Sequence, residues 1–141
     1  MIEIVNRQRK VPIDIDHWRD FTTKAMQTIP TGVTSVTIVF VSDRLMSELN
    51  LHWRDKSGTT DVLSFPAEQA EFEMAGGPTL GDIVISVERA VKQARENSWS
   101  VENEIAQLIL HGLLHLCGYD HETDNGEMNR LEIKLRKRLE I

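Results

Sequence analysis

The spacing of apolar positions changes period several times along the chain, and each change predicts an element. Ile2 to Val5 is rich in β-branched residues and reads as a short first strand. From Asp14 to Ile29 the positions Ile15, Trp18, Thr22, Ala25, Met26 and Ile29 recur at helical spacing, and Pro30 and Gly32 end the pattern. Val36, Ile38 and Phe40 alternate with Thr37 and Val39, which predicts a well-buried strand over Ser35 to Val41. Ser42 is then placed to cap a helix carrying Leu45, Met46 and Leu49.

Thr60 to Phe65 and Leu80 to Ile85 are the next two expected strands. Their connection, punctuated by Pro66, acidic residues and Gly76-Gly77-Pro78, is long for a simple hairpin. Ser86 opens a helix with Val87, Ala90, Val91 and Ala94 on one face, and Ser100 opens another with Glu102 and Glu104 at its positive end. Ile105, Leu108, Ile109, Leu113 and Leu116 leave that second helix little polar surface, so it is expected to be buried centrally. Gly118 is placed to end it in a left-handed cap. Met128, Leu131, Leu135 and Leu139 mark a final amphipathic helix. The order β-α-β-α-β-β-α-α-α predicts an α/β (α+β) fold, a small mixed sheet of about four strands packed with about five helices.

Composition sets limits around this picture. A chain of 141 residues that is 40% hydrophobic supplies one compact core, so a single domain over residues 1–141 is expected. No stretch approaches the roughly 18 apolar residues of a membrane span, and the start lacks a signal-like pattern, which predicts a soluble cytoplasmic protein with no membrane partner. The single cysteine, Cys117, fits a reducing compartment. A net charge of −6 has the wrong sign for bulk electrostatic attraction to nucleic acid, so any such contact must be local. Arg130, Lys134, Arg136, Lys137 and Arg138 read as the solvated face of the last helix, near the end of its dipole where cations are favoured.

The chemistry concentrates in one segment. His111 and His115 are four apart on the central helix, which stacks both imidazoles on one face within reach of one ion. Gly118 lets the chain turn back, so that His121 can approach the same ion from the loop. Three of the five histidines therefore form a candidate metal site on a helix otherwise too apolar to hold unpaired imidazoles cheaply. Zinc is the ion favoured by this donor set, although other divalent transition metals also accept imidazole. Cys117 is a poor fourth ligand, because two helical residues beyond His115 turn it about 200° from the histidine face. Asp120 and Asp124 remain alternatives for closing the site. An open three-histidine site leaves a position for water and points to hydrolysis. The spacing is of the zincin type, but Gly112 stands where zinc peptidases carry their glutamate base, which argues against peptide cleavage.

The segment His111-Gly112-Leu113-Leu114-His115-Leu116-Cys117-Gly118-Tyr119-Asp120-His121 resembles the signature of the YbeY family of bacterial ribosomal RNA maturation factors. Asn50-Leu51-His52-Trp53-Arg54, Thr60-Asp61-Val62-Leu63-Ser64-Phe65-Pro66 and Leu80-Gly81-Asp82-Ile83 agree with it. The resemblance implies a single-strand-specific endoribonuclease acting in 16S rRNA 3′-end maturation and ribosome quality control, with zinc on the three histidines. It also implies an essential arginine at Arg54, whose guanidinium suits a phosphodiester transition state. The partners it implies are single-stranded precursor 16S rRNA and the ribosome or its small subunit, not DNA. Asp120 and Asp82 are the candidates for a general base, with Asp120 alternatively orienting a ligand imidazole. Two other readings stand beside this one: a ribosome-associated RNA-binding factor with a structural zinc, and a hydrolase of another phosphoester or an amide. His17 and His52 read as surface or boundary residues. No aromatic-rich base-stacking motif of the usual RNA-binding modules is present.

Overall fold

Nine elements follow one another in the order the hydrophobic pattern predicts. The structure, a computed structural model, describes residues 1–67, 78–120 and 123–141. They are β1 (Ile2–Asn6), α1 (Ile15–Thr28), β2 (Val36–Val41), α2 (Asp43–Arg54), β3 (Val62–Pro66), β4 (Gly81–Ser86), α3 (Val87–Glu96), α4 (Val101–Leu116) and α5 (Glu127–Leu139). Four of the helices begin where a side chain accepts an otherwise unpaired N–H. Asp14 caps α1 through His17 N, Ser42 caps α2 through Leu45 N, Ser86 caps α3 through Arg89 N and Ser100 caps α4 through Asn103 N.

The strands form one mixed sheet in the order β1-β2-β4-β3. β1 and β4 run parallel to β2, and β3 pairs antiparallel with β4. Central β2 and β4 are buried along their whole length, which is why their sequences are nearly continuous apolar runs. β3 begins at Val62, two residues later than the sequence pattern predicts, because its register pairs Val62 with Ile85 at the end of β4. Thr60 instead turns its hydroxyl to Asp61 Oδ1 at 3.3 Å.

Strand parity separates two cores. Ile38, Phe40, Ile83 and Ile85 face α1 and α4, together with Ile109, Leu113, Met128 and Leu135. Val39, Val41, Leu63, Phe65 and Val84 face α2, against Met46 and Leu49. α4 lies on the first face so closely that a Cβ on Gly112 would fall 2.9 Å from Ile83 Cγ2 and 3.0 Å from its Cδ1. The sequence reads Gly112 as a missing carboxylate; in the fold it is the point where helix and sheet touch.

The end of α4 is also as predicted. Gly118 has φ +97°, its N–H donates to His115 O at 3.0 Å, and Tyr119 N–H donates to Leu114 O at 3.0 Å. These are the two bonds of a Schellman cap, and Leu114 and Tyr119 pack into the same core as the motif requires. No helix among the described residues is long and apolar enough to cross a membrane.

Candidate active site

His111 and His115 stand one turn apart near the C-terminal end of α4, and their Nε2 atoms converge to 3.0 Å. His111 Nδ1 lies 2.8 Å from Glu132 Oε1 of α5. Because the carboxylate can only accept, this contact places a proton on Nδ1 and turns Nε2 toward His115. Burial alone would raise the Glu132 carboxyl, but the hydrogen bond and charge of His111, with the charges of Arg136 and His115, hold its pKa below the usual carboxylate value. Arg136 donates to its other oxygen at 3.2 Å.

Glu132 escapes the sequence reading, although a signal exists. It lies four residues after Met128 and three before Leu135, both fully buried, so helical spacing puts a carboxylate on the apolar face of α5. A carboxylate there needs a buried partner. Of the basic residues read as a solvated face, Arg130, Lys134, Lys137 and Arg138 are exposed, whereas Arg136 is half-buried and turned inward to Glu132.

The imidazoles open onto a cleft of about 390 Å³ lined also by Arg54, Asp61, Val62, Ser64 and Asp120. Arg54 is brought there from the opposite side of the sheet by three local features. It is the last residue of α2, which stops at Asp55 in a left-handed conformation. The Trp53 ring packs edge-on against Phe65, centroids 5.7 Å apart, pinning the helix end to β3. Buried Asn50 holds the following loop through a 3.1 Å bond to Gly58 O. On β3, Leu63 and Phe65 point to α2, so Val62 and Ser64 alternate onto the cleft side.

Other candidates separate. Asp82 is buried in β4 but shares the parity of Val84, on the sheet face opposite Ile83 and therefore opposite Gly112 and the imidazoles. A residue on that face does not reach the cleft, which removes Asp82 as its base. Asp120 does line the cleft. Cys117, the residue that follows α4, packs against the core and does not line the cleft, and burial pushes its thiol pKa up against the lowering effect of its bond with Thr31. His17 and His52 are exposed, each edge-on to a neighbouring tryptophan. His121 lies outside the described residues.

Fold and site together define an α+β protein whose central helix presents an orientated imidazole pair to a cleft bordered by an outer strand and one arginine. A family model described as Endoribonuclease YbeY matches residues 3–140. The chain belongs to the endoribonuclease YbeY family. The Endoribonuclease YbeY of Nautilia profundicola is 50% identical over 106 residues, covering 75% of this chain and 73% of the relative. That of Nitratiruptor sp. is 42% identical over 137 residues, covering 96% and 86%. The solution structure of TM1509 from Thermotoga maritima matches with a TM-score of 0.65 at 27% identity, over 99% of this chain and 89% of that one.

Proposed function

We propose that this chain is a zinc-dependent, single-strand-specific endoribonuclease that matures the 3′ end of 16S rRNA and acts in ribosome quality control. Its partners are then precursor 16S rRNA and the small ribosomal subunit, in the cytoplasm. The observation that carries the reading is the convergence of two imidazole Nε2 atoms in a cleft that also presents Arg54. The name shared by the relatives supplies RNA as the substrate class.

The residues fit a zinc ion. Two imidazoles bound to one tetrahedral ion at about 2.0–2.1 Å have nitrogens about 3.3 Å apart, and here the two nitrogens are already 3.0 Å apart. The carboxylate on His111 Nδ1 is the partner that metal-bound histidines commonly have, fixing ring and tautomer. His111, His115 and His121 would hold the ion, with His121 arriving directly after Asp120, which lines the cleft. When bound, zinc supplies Lewis-acid polarisation at the phosphodiester.

The chain's own groups do the rest. Arg54 pairs with non-bridging phosphate oxygens, and its fork matches two of them as negative charge develops. Glu132, accepting from His111 Nδ1, fixes the direction of the ring with Nε2 facing His115. Of the two carboxylates weighed from the sequence as a base, Asp120 is the one on the cleft.

Metal analysis and single-stranded RNA cleavage by wild type and His115→Ala test this reading. The variant loses bound zinc and cleavage together, and chelation of the wild type leaves a folded, inactive chain. Cleavage by a metal-free variant would refute it. Unfolding on chelation would instead identify a structural zinc.

A further inference from the structure

The cleft does not end at the imidazoles. Beyond His111, Asp61 and Val62 it continues as a trough of about 260 Å³ walled by Trp99, Gln107 and Arg136. We propose that this trough is a nucleobase subsite in which the indole of Trp99 stacks on a base of the RNA strand flanking the scissile phosphate. The inference rests on the endoribonuclease reading and assigns one side of the substrate path.

Trp99 is a large aromatic residue that is 42% exposed yet held from several directions. Its backbone closes α3: Trp99 N–H donates to Ala94 O at 3.0 Å and Ser98 N–H to Arg95 O at 3.3 Å. That cap forces Ser98, a non-glycine residue, to φ +58°, a conformation that costs about 1 kcal/mol. The indole Nε1–H donates to Glu104 Oε1 at 2.8 Å, and Glu104 is buried. With the Gln93 amide nitrogen turned to the carboxylates, it donates to Glu104 Oε2 at 2.9 Å and to Asp61 Oδ2 at 3.2 Å. A rigid, half-open aromatic face is what a base needs for stacking without an ordering cost.

The charges say which part of a nucleotide enters. The Arg136 guanidinium is paired with Glu132, and Asp61 and Glu104 surround the trough, so a phosphate is disfavoured there. A base that carries an exocyclic amine can donate to the Asp61 carboxylate while stacking. Phosphate binding is left to Arg54 and the imidazoles on the other side of His111. A strand crossing His111 therefore meets a cation on one side and an aromatic face with hydrogen-bond acceptors on the other.

The test is steady-state cleavage of a single-stranded oligoadenylate by zinc-loaded wild type, Trp99→Phe and Trp99→Leu, with folding checked by circular dichroism. Loss of stacking in Trp99→Leu raises KM about 5- to 150-fold with kcat little changed. Trp99→Phe keeps a stacking ring but loses the bond to Glu104, and its KM stays within about threefold of wild type. If both variants lose affinity alike, Trp99 acts through Glu104 and the subsite is refuted. An unchanged KM in Trp99→Leu refutes it equally. A wild type that cleaves no RNA overturns the endoribonuclease reading itself, a result distinct from either of these.

Discussion

Gly112→Ala isolates the contact that sets α4 on the sheet. The added methyl would sit 2.9, 3.0 and 3.1 Å from Cγ2, Cδ1 and Cγ1 of Ile83, against the 3.5–4.0 Å or so at which carbon atoms rest. Helix or isoleucine must therefore give by roughly 0.5–1 Å. Ile83 has little freedom: it is fully buried, β-branched, and its backbone is paired with Ile38 on one side and Ser64 on the other. Overpacking of this kind costs about 1–3 kcal/mol, while replacing a mid-helix glycine with alanine returns about 1 kcal/mol. The net expectation is a loss of about 1 kcal/mol, a fall in Tm of roughly 3–5 °C for a domain of this size. Urea and thermal unfolding followed by circular dichroism measure it. Ile83→Val removes Cδ1 and relieves one contact, so it costs less in the Gly112→Ala background than alone, with a coupling of at least about 0.5 kcal/mol. A Gly112→Ala protein about 1 kcal/mol more stable than wild type, with strictly additive behaviour toward Ile83→Val, would show that the helix does not rest on this strand as described.

Three further outcomes follow from the site. Glu132→Gln keeps the shape of the His111 partner but not its charge, and zinc affinity falls about 10- to 100-fold by competition with a chromophoric chelator; unchanged affinity would exclude Glu132 from orienting the ligand. Arg54→Ala retains fold and bound zinc because the side chain is exposed, while RNA turnover drops about 10²- to 10³-fold. A variant that cuts at the wild-type rate removes Arg54 from the site. Burial, aided by the Asp61 charge, raises the Glu104 carboxyl pKa against the lowering effects of Trp99 and Arg136. The folded state then binds that proton more tightly than the unfolded one, so this group's contribution to stability declines as pH rises from the ordinary glutamate value through the raised one. Glu104→Gln flattens that slope in denaturation curves collected across the window, and a slope identical to wild type would refute the assignment.

Much of this was legible locally. Ser42, Ser86 and Ser100 mark helix starts because a side-chain oxygen three residues ahead of an orphan N–H acts within one turn. Gly118 marks a helix end for the same short-range reason. The His111 and His115 pair needs only helical geometry to converge. Strand order was not legible, since β4 pairs with both β2 and β3 across long connections.

What lay beyond the sequence is what depends on packing between distant elements. Asp82 fell on the wrong side of the sheet because a period of two assigns alternate residues to opposite faces, and only the position of α4 says which face is the cleft. Arg54 arrives at the imidazoles through the Trp53 contact with Phe65, and Glu132 through the docking of α5 beside α4. The sequence by itself determined the elements, their caps and the imidazole pair, because those rest on interactions spanning a turn or two. The tertiary structure decided which carboxylate orients His111, what Gly112 is for and which groups share the cleft, because those rest on contacts between residues far apart in the chain, whose meeting no local period encodes.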